Sequence, residues 1–293
     1  MSVCGTASRS VAKRLACALT AGALAAVGHV APAGQPGQGA PARVVSINLC
    51  TDQLAMLLAA PGQLVSVSTM AREAESSALA HEARGWPVNS GAAEEVFLLR
   101  PDVVLAGSFA ARATVDLLRR LGIEVAEFAP ENSLADVRAT IRRMGRVLGR
   151  EAAAQTMLVK FDRGLADLRR PIGEDAPTAA IYGANGYLPG AETLASDILT
   201  AAGLNNLAAK LGMAGSGALP LEQLILSRPD VVIRPGRYSG ASRAEAILDH
   251  PALVGLPAPA HARTGPEWVC PTPMLLKAVA DMARVRDDMA IKR

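Results

Sequence analysis

The chain has 293 residues, half of them hydrophobic, which is enough apolar material for one large domain or two of ordinary size. Three of its 30 basic residues (Arg9, Lys13 and Arg14) lie in residues 1–33, where there is no acid, so the rest balances 27 basic against 27 acidic groups. A chain with zero formal net charge beyond its first segment and only 3% aromatics has no electrostatic footprint for nucleic acid.

Behind those three charges runs the uncharged stretch "LACALTAGALAAVGHVAPA", which ends in the small-residue pattern Ala31-Pro32-Ala33. This is the pattern of a secretory signal peptide over residues 1–33. Its apolar part, Leu15 to Val30, is about sixteen residues, short of the roughly 20 needed to span a bilayer. Residues 34–42, "GQPGQGAPA", have the composition of a flexible tether and are expected to be disordered.

From Arg43 the chain reads strand, polar loop and apolar helix in "RVVSINLCTDQLAMLLAAPG". Further on, "EEVFLLRPDVVLAG" is a short apolar helix that runs into a proline and then a strand. The same plan returns later, in "TAAIYGANGYLPGAETLASDILTAAG" from Thr178 and in "EQLILSRPDVVIRPG" from Glu222. Setting Arg100 on Arg228 places Glu94 on Glu222, Val96 on Leu224, Phe97 on Ile225 and Leu98 on Leu226, so one design is used twice. Between the copies, residues 133–170 contain no proline and carry Val137, Ile141, Met144, Val147 and Leu148 at helical spacing, with Ser133 as N-cap and Pro171 as stop. They read as one long connecting helix of about 55 Å, with Gly149 as a place where it could break. The expected fold is therefore α/β: two Rossmann-like lobes with parallel sheets, residues 43–132 and 171–293, joined by one long α-helix.

Ligands of such sheets sit beyond the carboxyl ends of the strands. If both lobes aim those ends at a shared cleft, its candidate ligand-binding residues are Asn48, Cys50, Thr51, Trp86, Phe109, Tyr187, Tyr238 and Trp268, the aromatics offering flat apolar faces. Arg112 and Arg237 are placed to meet anionic groups. The histidines beyond the leader, His81, His250 and His261, are too scattered for a metal site, and no cofactor is expected. Beyond the leader only Cys50 and Cys270 remain, each in a strand-end loop. A disulfide between them, two thiols that touch a ligand, and two unpaired packing thiols are all compatible with the sequence.

Together the leader, the "RVVSINLCTDQLAMLLA" opening, the two helix-Pro-strand blocks and the connecting helical segment resemble the class III periplasmic substrate-binding proteins of ABC importers, over about residues 43–290. The resemblance implies a non-enzymatic, monomeric periplasmic protein that captures a small metal chelate (cobalamin, a ferric siderophore or haem). Its partners would be an ABC permease and its ATPase at the inner membrane. It also implies that Glu94 and Glu222 dock on the permease, although both also fall in the first turn of a helix, where the dipole favours any acid. Two other readings stand beside it: an exported thiol-dependent enzyme that uses Cys50, and a periplasmic metal-complex chaperone.

Overall fold

The computed structural model describes residues 39–173, 175–236, 240 and 242–291. The leader, residues 34–38 of the tether, and Arg237 and Tyr238 lie outside the described residues.

In the first half the chain forms β1 (Val44–Ser46), α1 (Leu49–Leu58), β2 (Leu64–Ser68), β3 (Val88–Asn89), α2 (Ala93–Leu98), β4 (Val103–Gly107), α3 (Arg112–Arg120) and β5 (Glu124–Phe128). The strands make a parallel sheet in the order β3-β2-β1-β4-β5. Two antiparallel helices follow, α4 (Leu134–Leu148) and α5 (Glu151–Leu168). The second half forms β6 (Thr178–Ile181), β7 (Tyr187–Leu188), α6 (Leu194–Ala201), β8 (Asn205–Asn206), α7 (Leu207–Lys210), β9 (Gly217–Ala218), α8 (Leu221–Ser227), β10 (Val231–Arg234), α9 (Pro251–Val254), β11 (Ala260–Arg263) and α10 (Leu275–Ile291). Its parallel sheet has the order β11-β10-β6-β8, while β7 and β9 pair separately as a small antiparallel ribbon.

The sequence repeat is a repeat in space. The sheets share the run β2-β1-β4-β5 and β8-β6-β10-β11, with each RPDVV block supplying the strand beside the first strand of its half. Each residue of the block has the same work in both copies. Arg100 and Arg228 take left-handed backbone angles (φ 49° and 44°) that end the preceding helix, and the following proline bars its continuation. Asp102 accepts the backbone N–H groups of Ala42 and Arg43 on Oδ2, both at 2.8 Å, and Asp230 accepts that of Thr178 on Oδ2 at 2.9 Å. In return the N–H groups of Asp102 and Asp230 donate to the carbonyls of Arg43 and Thr178, each at 2.8 Å. The valines that follow are fully buried or nearly so.

Two expectations are corrected. The tether is not free up to residue 42: besides the Ala42 bond, the Pro41 carbonyl accepts from Gln63 Nε2 at 2.8 Å, so these residues are tied to the segments that lead into β2 and β4. Nor is there a single rod over 133–170. Ser133 caps α4 through its side chain, as its position suggests, but Gly149 (φ 62°, ψ 36°) closes the helix in the left-handed region and α5 turns back along α4. Arg138 reaches Asp162 at 2.6 Å and lies over the Phe161 ring, and Gly145 faces Ala154 so closely that a Cβ on Gly145 would come within 2.5 Å of the alanine methyl. The physical reason is burial. Val137, Ile141, Met144 and Leu148 of α4 and Ala154, Leu158, Phe161 and Leu165 of α5 all enter one core, which a straight helix of this length cannot cover from both halves.

That core does not stop at the lobe boundary. It runs from the first sheet through α4 and α5 to Ile198 and Ala201 of α6 and to Leu275, Ala278 and Val279 of α10. The link between the lobes is therefore packed apolar surface, with α5, about 27 Å long, at its centre. No helix among the described residues is long and apolar enough to cross a membrane. Because the α4–α5 crossing leaves no room for a side chain at Gly145, Gly145→Val should lower the stability of the whole protein by about 1–3 kcal/mol in urea unfolding. An unchanged midpoint would show that the crossing is slack.

Candidate functional site

A cleft of about 430 Å³ opens where the carboxyl ends of the two sheets approach each other. Its first wall begins at Asn48, the N-cap of α1, whose side-chain oxygen accepts the N–H groups of Cys50 at 3.0 Å and Thr51 at 3.4 Å. The Thr51 hydroxyl is committed as well, to the Asn48 carbonyl at 2.9 Å and to Ser46 Oγ at 2.8 Å. Asn48 and Thr51 thus line the cleft with groups that chiefly hold the turn together. Gly107, at the end of β4, is required by this cap: a Cβ there would stand 2.8 Å from Asn48 Nδ2. Phe109, 88% exposed, projects from the loop after β4; Phe128, the last residue of β5, and Glu131 and Asn132 of the loop that follows it complete this stretch. From α4, Thr140 and Met144 form part of the same wall.

The facing wall comes from the second half. Tyr187 of β7 is half-exposed there, and Thr193, the N-cap of α6, lies beside it with Leu194. Trp268 closes this side; its ring packs against the central core and against that of the second sheet, and its Nε1–H is buried without a hydrogen-bond partner.

Cys50 and Cys270 are joined as a disulfide at the cleft, with their Cα atoms 5.0 Å apart. The bridge ties the first turn of α1 to the segment that leads into α10, and so spans the two walls.

Of the residues singled out in the sequence, Asn48, Cys50, Thr51, Phe109, Tyr187 and Trp268 are brought together around the cleft. Trp86 is not: it packs, partly buried, on the core of the first sheet, and its carbonyl accepts from Arg72 Nη2 at 2.6 Å. The short 69–72 and 82–85 turns fold over one another and hold it there, a tertiary contact that the adjacent Pro87 does not reveal. Arg112 heads α3 on the exposed surface and does not line the cleft. Residues 128–132 went unnoticed in the sequence, although they follow a strand and obey the same carboxyl-end rule that picked the others. Met144 and Thr140 had no local signal, because the fold-back of α4 and α5 is what presents them.

Two carboxyl groups on this side of the first sheet are perturbed. Asp52, fully buried in the first turn of α1, is pushed up to about 6 by burial; bonds from Ser68 (N–H at 3.1 Å, hydroxyl at 2.5 Å) only partly offset this. Burial also raises Glu131, against a hydrogen bond from Thr140. Among the described residues, no group of three or more His, Cys, Asp or Glu is placed to hold a metal ion.

A family model described as a periplasmic binding protein matches residues 44–263, which takes in both sheets and the hairpin between them. The chain belongs to this family. It is 30% identical over 197 residues to a cobalamin-binding protein of Halobacterium salinarum, a match covering 66% of this chain and 53% of the relative. The chain thus spans about half the length of the curated relatives it matches. Among solved structures it resembles the periplasmic heme-binding protein RhuT from Roseiflexus sp. RS-1 (TM-score 0.68, 21% identity, 85% of this chain and 98% of that one). It also resembles a periplasmic heme-binding protein from Pseudomonas aeruginosa (0.67, 22%, 84% and 93%) and the vitamin B12 binding protein BtuF of Vibrio cholerae (0.62, 17%, 85% and 98%). At these identities the likeness is one of fold.

Two outcomes follow from the geometry. Non-reducing peptide mapping should yield a single linked pair containing Cys50 and Cys270, and replacing both by serine should lower stability by about 2–5 kcal/mol. For Asp52, the folded protein holds the proton at pH values between about 3.8 and about 6 where the unfolded chain has released it. The stability contributed is therefore present below the lower value and lost as pH rises through the higher one, on the order of 3 kcal/mol in all. Asn mimics the protonated acid, so wild type should lose stability relative to Asp52→Asn between pH 4 and pH 7 in urea titrations. Parallel profiles would show that Asp52 ionises in the fold without penalty.

Proposed function

We propose that the chain is the periplasmic substrate-binding component of an ABC importer, a monomer that takes a metal-chelate nutrient into the cleft and delivers it to an inner-membrane permease and its ATPase. The observation that carries this reading is the cleft itself, set at the carboxyl ends of two parallel sheets and faced by Phe109, Tyr187 and Trp268. About 430 Å³ with flat apolar walls suits a planar or compact chelate partly exposed to solvent. The cobalamin-binding relative and the structural neighbours that bind heme or vitamin B12 support the same class of cargo. The leader pattern in residues 1–33 supports export, and a disulfide fits an oxidising compartment.

Docking on the permease is assigned to Glu94 and Glu222. Both are exposed in the first turn of equivalent helices, α2 and α8, which start on the cleft-facing side of their sheets. A carboxylate on each lobe sets orientation and aids encounter more than it adds affinity. A thiol-dependent enzyme has no support, because the sulfur of Cys50 is held in the bridge.

The test uses the chain's two tryptophans. Titration with cyanocobalamin, haem and ferric siderophores should quench fluorescence saturably for at least one ligand. Trp268→Phe should remove most of the change, and Trp86→Phe should retain it. Glu94→Ala with Glu222→Ala should abolish uptake while leaving the titration unaltered. Absence of quenching by the entire panel, confirmed by calorimetry, would overturn the cargo assignment, and normal uptake by the double variant would overturn the docking assignment.

A further inference from the structure

The cleft has an unusual charge pattern. Among the described residues that line it there is no Lys, Arg or His, and Glu131 is the only carboxyl group. Glu131 stands in the loop that leaves β5, part-buried, and shares the lining with Thr140 of α4. Asn132 and Thr140, its neighbours in the lining, are neutral; the one charged group described as bearing on it is Asp136, in the first turn of α4, which has the same sign.

An ionised carboxylate accepts hydrogen bonds and has none to give. A ligand edge that meets Glu131 must therefore offer N–H or O–H groups, or positive charge. A ligand carboxylate there would set two like charges in a partly desolvated cleft whose described lining holds no cation; Arg143 of α4, whose guanidinium lies 5.1 Å from the centroid of the Phe128 ring, is not among the lining residues. Chelates of similar size differ sharply in this respect. A corrin rim is studded with primary amides, a haem edge carries two propionates, and a catecholate complex is a polyanion.

We propose that Glu131 is a specificity-determining residue of the cleft, which admits a chelate whose rim presents amide N–H groups and rejects one whose rim presents carboxylates. The inference rests on the reading of the cleft as a chelate site, and adds to it a rule based on charge where the aromatic walls select only by shape.

The experiment compares ligands of one shape. Cyanocobalamin and its three isomeric monocarboxylic acids, in which one propionamide is hydrolysed, are titrated by calorimetry into wild type, Glu131→Gln and Glu131→Ser, with haem as a fourth, dianionic probe. Thermal melts check that the variants are folded. Arg237→Ala is carried in parallel to separate any contribution of that cation, which lies outside the described residues. Wild type should bind at least one acid isomer about tenfold more weakly than the amide, and haem more weakly still. Either Glu131 variant should bring the acid-to-amide ratio to within about threefold, and the isomer most penalised in wild type should recover most. A residue with only a structural role would weaken both ligands together and leave the ratio unmoved. An unchanged ratio in both variants, or haem bound by wild type as tightly as cyanocobalamin, overturns the assignment of Glu131 while leaving the chelate reading in place. No binding of any corrinoid or of haem to wild type overturns both.

Discussion

In each half of the molecule one aspartate, Asp102 or Asp230, anchors the start of the first strand against its neighbour, accepting backbone N–H groups on its side chain while its own N–H closes the return bond. The rest of the architecture depends on this clamp. It fixes β4 beside β1 and β10 beside β6, and so fixes where the carboxyl ends of both sheets fall. Since the walls of the cleft hang from those ends, the polar contacts of two aspartates at the opposite end of the strands bear on the shape of the cleft. The residues before and after the aspartate serve the same end in both copies, ending a helix and feeding a buried strand.

Much of this could be read from the sequence because it is local. Proline after a short apolar helix, a β-branched run and an asparagine before a helix each specify their own conformation, and their recurrence in the same order exposed the duplication. The α4–α5 hairpin was harder. Gly149 signalled a break, but whether the chain kinks or reverses there depends on which distant surfaces must be covered, and the apolar faces of both helices are satisfied only by reversal. Trp86 was misplaced for a similar reason, since the turn that carries it is drawn onto the core by Arg72 and the neighbouring segment rather than by anything in its own dipeptide. Glu131 followed a strand and was legible in principle; its isolation among neutral groups was not, because that requires knowing which loops meet.

The two lobes are bound to each other by more than a tether. A single apolar core passes through α5 into α6 and α10, and the Cys50–Cys270 bridge adds a covalent tie between the first turn of α1 and the segment that leads into α10. Between those attachments the cleft walls are held by caps whose polar atoms are already committed, as at Asn48 and Thr51. A cleft with walls held in this way is largely preformed, so a molecule that entered it would cost little ordering entropy.

The bridge also has a meaning for biogenesis. Its partners are 220 positions apart, and the second lies after every strand of both sheets. Until the segment that carries Cys270 has emerged and come to rest on α1, the two thiols remain open to the oxidants and isomerases of whatever compartment receives the chain. A chain that ends before residue 270 lacks the bridge, so the bridge reports that both sheets have been made.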